Sequence, residues 1–171
     1  MRKLRSSTVL WILLIAALVG ADQLIKLWVI QVLKPLGTIP IIRDAVHLTY
    51  AENTGAAFSL LEGQLWLFVT VVSVTVLVLL YILLVKKPKS KLVCICLSMI
   101  VAGGLGNLID RLVHGFVVDY IDFRIIHYAI FNFADSCVVV GAVLLCLYLI
   151  RLELRESKAK KEQHAETTED R

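Results

Sequence analysis

Four stretches of this chain are too apolar to be solvated by water, and each is long enough to cross a bilayer as a helix. Residues 65–85 carry no charge at all, and residues 92–109 repeat the pattern. About 20 apolar residues span a ~30 Å hydrocarbon core. Residues 134–150 make a third such run if Asp135 sits at its rim. Residues 8–30 make a fourth, interrupted late by Asp22 and Lys26. The chain of 171 residues is 58% hydrophobic, with a mean hydropathy of +0.80. These values predict an all-α membrane protein, a bundle of four transmembrane helices whose solvent is lipid.

Positive charge sets the orientation. Arg2, Lys3 and Arg5 precede the first span, and Lys86, Lys87, Lys89 and Lys91 fill the connection between the second and third. Arg151, Arg155, Lys158, Lys160 and Lys161 follow the fourth. The other two connections hold only Lys34, Arg43, Arg111 and Arg124. Both termini and the lysine loop are therefore expected in the cytoplasm, which needs an even number of crossings. Residues 2–21 also read as a signal peptide, with a cleavage site at Val19-Gly20-Ala21. Cleavage would leave three crossings and split the basic clusters between two sides, so a retained span is expected.

The net charge of +4 does not point to nucleic acid, because the positives cluster where topology already explains them. Cys94, Cys96, Cys137 and Cys146 all sit in apolar runs and read as small packing residues. His47, His114 and His127 have no metal-ligand spacing, so no metal or other cofactor is expected.

The two external connections are more than linkers. In the first, Pro35, Gly37 and Pro40 break the helix. Val46, His47, Leu48, Thr49 and Tyr50 alternate as a half-buried strand, and Glu52-Asn53-Thr54-Gly55 signals a turn. Ala56-Ala57-Phe58-Ser59-Leu60-Leu61 then suggests an amphipathic surface helix. A small extracytoplasmic β platform with that helix is expected at the membrane surface, anchored by Trp66 and Trp28. In the second connection, Val117-Val118-Asp119-Tyr120-Ile121-Asp122-Phe123 is β-prone and apolar despite two carboxylates. Residues 1–152 thus form one membrane domain. Residues 153–171, a mixed charge run, are expected to be a disordered cytoplasmic tail.

Every acidic residue before that tail falls on the extracytoplasmic side. Carboxylates at the edge of a bilayer are costly and are functional suspects. Asp22 lies ~21 Å up the first helix from Thr8, with Lys26 one turn further on the same face. Asp110 closes the third span, Asp135 opens the fourth, and Asp119 lies between. Two neighbouring aspartates share a proton and titrate as a pair. The ionised member can activate water while the protonated member polarises an amide carbonyl.

Asp110 is placed at a helix C-terminus, where the dipole opposes negative charge. Next to Arg111, it reads better in a structural ion-pair or hydrogen-bond role. Asp135, near a helix N-terminus, favours its ionised form, and Asp119 has apolar neighbours that raise its pKa. Asp119 and Asp135 are the expected dyad. Taken singly, Asp22 with Lys26 also reads as an intrahelical ion pair, and Asn53 with Gly55 as plain turn chemistry. Gly103, Gly104 and Gly106 read as helix-packing positions. Asn107 and Asn132 lie in apolar surroundings, where a buried amide must find partners.

Together these elements resemble the bacterial lipoprotein signal peptidases, the signal peptidase II family. The resemblance rests on Ala21-Asp22-Gln23-Leu24-Ile25-Lys26, Glu52-Asn53-Thr54-Gly55-Ala56-Ala57-Phe58, Gly106-Asn107-Leu108-Ile109-Asp110-Arg111, Val117-Val118-Asp119-Tyr120-Ile121 and Phe131-Asn132-Phe133-Ala134-Asp135-Ser136, in family order over residues 8–150. One departure is Ala129, where many members carry proline.

The resemblance implies a multi-pass aspartic endopeptidase of the bacterial inner membrane, working at the outer leaflet and without a cofactor. Its expected partners are diacylglyceryl-modified prolipoproteins, cut just before the lipidated cysteine, together with membrane lipid and lipopeptide inhibitors such as globomycin. A monomer is expected. The family's catalytic aspartates map to Asp119 and Asp135. Its supporting or substrate-contacting positions map to Asp22, Lys26, Asn53, Gly55, Asn107, Asp110, Arg111, Asn132 and Ala134. A proton- or cation-coupled carrier is the rival reading, but a carrier would place its charges near mid-bilayer within an inverted repeat. A purely structural membrane subunit would leave Asn107, Asp119 and Asp135 without a purpose.

Overall fold

The computed structural model describes residues 2–55, 64–126 and 128–169. The amphipathic segment expected over residues 56–61 and His127 lie outside the described residues. Five helices and three strands follow in the order α1 (Arg2–Trp28), α2 (Lys34–Leu36), β1 (Thr38–Ile42), β2 (Val46–Asn53), α3 (Leu65–Tyr81), α4 (Lys91–His114), β3 (Val117–Phe123) and α5 (Phe133–Glu169). Single π-helical turns, Val29–Leu33 and Ile82–Lys86, prolong α1 and α3.

Among the described residues, four helical stretches are long and apolar enough to cross a membrane: Thr8–Leu36, Leu65–Lys86, Lys91–His114 and Phe133–Lys158. They match the four expected spans but run further at their ends. α4 continues past residue 109 because the polar groups of Asn107, Asp110 and Arg111 are all partnered inside the protein. Gly115, at φ +82° just beyond α4, ends it by donating its N–H to Arg111 O at 3.1 Å, the left-handed stop that glycine adopts without strain. The charged tail from residue 153 continues the last helix to Glu169. Its Lys, Glu, Arg and Ala residues are strong helix formers, and Glu156 and Lys160 have the i,i+4 spacing that supports an exposed helix.

α4 is the central helix, packed against α1, α3 and α5. A membrane core forms where Ile15, Val76, Leu83, Cys94, Leu97, Val101 and Ala102 meet. Cys94, Cys96 and Cys137 are buried free thiols, and Cys146 is exposed on the surface of α5. The α4–α5 approach is close enough that a Cβ on Gly103 would run into the Ala134 carbonyl.

The three strands form one antiparallel sheet in the order β1-β2-β3. A bulge between Leu48 and Ala51 shifts the β2–β3 register and brings Ala51 opposite Asp119. The sheet is fastened to the end of α1 by a second cluster, in which Val29 and Leu33 of the π turn pack with Val118 and Tyr120. Trp28 and Trp66, at the sheet-bearing ends of α1 and α3, are both exposed, as interfacial anchors should be. His47 is buried in β2 opposite Asp122, a structural position.

Candidate active site

The first turn of α5 organises the site. A helix N-terminus leaves unpaired N–H groups, and here four are satisfied from three directions. Phe133 N donates to the Tyr120 hydroxyl at 3.1 Å, and Ala134 N to Asp22 Oδ1 at 3.1 Å. Asp135 N donates to Asn132 Oδ1 at 2.9 Å, and Ser136 N to Asn132 O at 3.1 Å. The Asp135 carboxylate reaches back through Oδ2 to accept from Asn132 N at 3.1 Å. Asn132 and Asp135 therefore form a reciprocal capping box.

Two amides connect the carboxylates. Asn132 Nδ2 donates to Asp119 Oδ1 at 2.7 Å and to Asn107 Oδ1 at 3.1 Å. Asn107 Nδ2 donates to Asp135 Oδ1 at 2.7 Å. The other oxygen of Asp119 accepts from Asn53 Nδ2 at 2.9 Å, and Asn53 Oδ1 accepts from Gly55 N at 3.0 Å. Turn chemistry and site chemistry are thus the same bonds at Asn53: its Asx-type turn aims the amide at Asp119.

A buried charge cluster supports this layer. Lys26 Nζ lies 3.0 Å from Asp22 Oδ2, 2.9 Å from Asp110 Oδ2 and 2.9 Å from Asn107 Oδ1. Its three hydrogens are matched by three acceptors. Asp110 Oδ2 also accepts from Val118 N at 3.0 Å. Asp110, expected in a structural ion-pair or hydrogen-bond role beside Arg111, has Lys26 of α1 as its ionic partner. Neighbours i and i+1 on a helix diverge by about 100° and do not face each other. Arg111 instead donates through Nη2 to Gly55 O at 3.0 Å and lies over the Phe68 ring. Gly106 lets α1 approach here, because a Cβ would stand 2.5 Å from Asp22 Oδ2.

Asp119 is 2% exposed, and its pKa is raised to about 7. Burial is the main cause, followed by the negative charge of Asp135; the amides of Asn53 and Asn132 and the Lys26 charge oppose the rise. Asp135 is half-buried and borders two cavities. One, of about 350 Å³, runs between α3 and α5 over Gly103 and Gly104, with Asn53, Asn107 and Arg111 on its polar side. The other, of about 260 Å³ and almost wholly apolar, lies between Phe131, Tyr128 and the lipid-facing residues Val139 and Val140.

All eleven residues expected at the site lie in or against this network, with Ala134 contributing its backbone N–H. A model of the family described as signal peptidase (SPase) II matches residues 14–151. The chain belongs to the signal peptidase II family. A lipoprotein signal peptidase of Clostridioides difficile (strain 630) is 49% identical over 84% of this chain and 97% of its own length. One of Streptococcus pneumoniae (strain ATCC BAA-255 / R6) is 40% identical over 82% and 92%. A bacterial membrane enzyme solved by the in meso method at 2.3 Å resolution superposes with a TM-score of 0.75 at 30% identity, covering 82% of this chain and 87% of its own.

Two residues of the network were missed by sequence reasoning. Gln23 Nε2 is shared among Asp110 Oδ1 at 3.0 Å, Asp22 Oδ2 at 3.2 Å and Gly106 O at 3.2 Å. Its place between Asp22 and Lys26 was the available signal. Tyr120 adjoins Asp119, but only the fold reveals that its hydroxyl reaches α5.

Proposed function

We propose that this signal peptidase II family member is an aspartic endopeptidase that removes the signal peptide from diacylglyceryl-modified prolipoproteins, cutting just before the lipidated cysteine. The observation that carries the reading is the asymmetry of Asp119 and Asp135. One is enclosed and holds a proton up to about pH 7; the other borders both cavities at the start of a helix, where the dipole favours an anion.

The reaction starts with Asp119 protonated and requires Asp135 as the ionised partner. Asp135 takes a proton from a water whose oxygen attacks the scissile carbonyl carbon, while Asp119 gives its proton to the carbonyl oxygen. Collapse of the tetrahedral diol breaks the C–N bond. Asp135 returns its proton to the leaving amine, and Asp119 recovers one as the new carboxyl group forms. The dyad ends as it began, with one water consumed. Asn53, Asn107 and Asn132 hold the two carboxylates through this exchange, while Lys26 offsets the negative charge behind them. Arg111 and Gly55 border the cavity, where they are placed to meet substrate backbone.

The apolar walls suit a signal peptide on one side and acyl chains on the other, the chains contributing about 0.8 kcal/mol per buried methylene. Lipopeptides such as globomycin would compete for the same space. The lysine-rich connection and both termini are assigned to the cytoplasm, which puts the dyad at the outer leaflet of the inner membrane, in a monomer.

The test is cleavage of a diacylglyceryl-modified prolipoprotein by purified protein in detergent with chelator present. Cleavage before the lipidated cysteine, lost in both Asp119→Asn and Asp135→Asn with the fold intact, supports the dyad. Full activity in either variant would remove that residue from the mechanism.

A further inference from the structure

The sheet reaches beyond the helices that carry it. β1 and β3 both run toward the β1–β2 turn, so Ile42 and Phe123 finish at one edge, and Arg124 N donates to Ala45 O there at 3.0 Å. That edge is poorly suited to water. Ile41, Ile42, Ile125 and Ile126 are 59%, 57%, 68% and 68% exposed. β1 is also the sheet's outer strand, and an apolar outer strand left in water invites aggregation.

Its height relative to the bundle is given by the aromatic residues beside it. Phe123 stacks on Phe131 at 5.6 Å, and Tyr128 meets Phe131 edge-on at 5.9 Å. Tyr128 and Phe131 line a cavity with Val139 and Val140 of α5, and both valines are exposed on the span's surface. Val139 is six residues into that helix, about 9 Å from its start. Through Phe123 and Phe131 the apolar edge is linked to the exposed side of the last span. Arg43 and Arg124 flank the edge, both exposed, although Arg124 also pairs through Nε with Asp122 Oδ2 at 3.0 Å, so Arg43 is the freer cation.

We propose that this edge dips into the adjoining leaflet, with Ile41, Ile42, Ile125 and Ile126 among the acyl chains and Arg43 and Arg124 at the lipid phosphates. Because β3 carries Asp119, the bilayer becomes a support for the sheet that sets the depth of that carboxyl group at the outer leaflet. A second copy pairing along β1 is the competing occupant.

The test uses the full chain in vesicles of phosphatidylethanolamine and phosphatidylglycerol, with a photoreactive benzoylphenylalanine replacing Ile42, Ile126 or, as a polar control, Glu52. The expected result is phospholipid-mass adducts at positions 42 and 126 and none at 52. Chain-to-chain adducts, or no lipid adduct at 42 and 126, would overturn the proposal. A second arm compares Ile42→Ser/Ile126→Ser with wild type on a lipid-modified substrate. Turnover unchanged in detergent but about tenfold lower in vesicles is expected; equal turnover in both media would count against the insertion. The photoadducts need no activity, so failure of the peptidase reading would leave this result readable.

Discussion

Asn132 and Asp135 cap one another, the asparagine side chain accepting from the aspartate N–H at 2.9 Å and the aspartate side chain accepting from the asparagine N–H at 3.1 Å. A carboxylate proposed to do chemistry is thereby a structural part of its own helix start. Its position is as well defined as the helix itself, and disturbing one disturbs the other.

Asn132→Ala should consequently affect stability and activity together. It removes the cap, worth about 1 kcal/mol, and takes a donor from buried Asp119, costing roughly 1–3 kcal/mol more. Thermal unfolding in micelles should show the lower midpoint. Turnover should fall at least tenfold even at temperatures where the variant is fully folded.

Asp135→Asn removes a negative charge that helps raise the Asp119 pKa to about 7. The pKa of Asp119 should therefore fall in this variant while staying above 3.8, since burial, the larger cause, remains. The carboxyl stretching band in infrared titration reads this directly. Folded Asp119 binds its proton more tightly than the unfolded chain does, so its ionisation costs stability as pH climbs from about 4 to about 7. That loss should be shallower in Asp135→Asn. An unchanged Asp119 titration would mean that the two carboxylates do not feel each other.

Lys26→Met strands Asp22 and Asp110 in the interior without their cation. Breaking a buried ion pair on one side costs roughly 3–5 kcal/mol, so the variant should unfold well below wild type in micelles. Lys26→Arg should recover little of this loss, because a planar guanidinium cannot offer three hydrogens to acceptors set around a single nitrogen.

Tyr120→Phe keeps the ring in its cluster with Val29 and Leu33 but leaves Phe133 N without its acceptor. We expect KM to hold and kcat to fall about tenfold, with stability lower by roughly 1–3 kcal/mol. A fall in thermal stability with kcat intact would mark the hydroxyl as structural only.

The spans and the two carboxylates were legible because hydropathy and motif are local properties. So was the turn at Asn53, read from four successive residues, though not the bond it makes to Asp119. Partners across the bundle were not. Lys26 meets Asp110 only because Gly106 lets α1 lie against α4, and no spacing along the chain encodes that meeting. Tyr120 looked like an ordinary β-former until the bulge between Leu48 and Ala51 set the register of β2 on β3. The charged end of α5 is a different case. Charge and low hydropathy argue against a packed core but not against a single helix, which Lys, Glu and Ala sustain by themselves.

The bond from Ala134 N to Asp22 Oδ1 joins positions 112 residues apart, and it constrains how such a protein can be made. The first hairpin to enter the bilayer already carries Asp22 and Lys26 as a neutralised couple four residues apart. Asp110 arrives with the third helix, and the amide that completes the Asp22 shell only with the fourth. A nascent chain therefore holds its carboxylates in an unfinished arrangement until the last segment is inserted. The Asn132–Asp135 cap and the Ala134 amide on Asp22 arrive together, so the network closes in one step, when the fourth helix is in place.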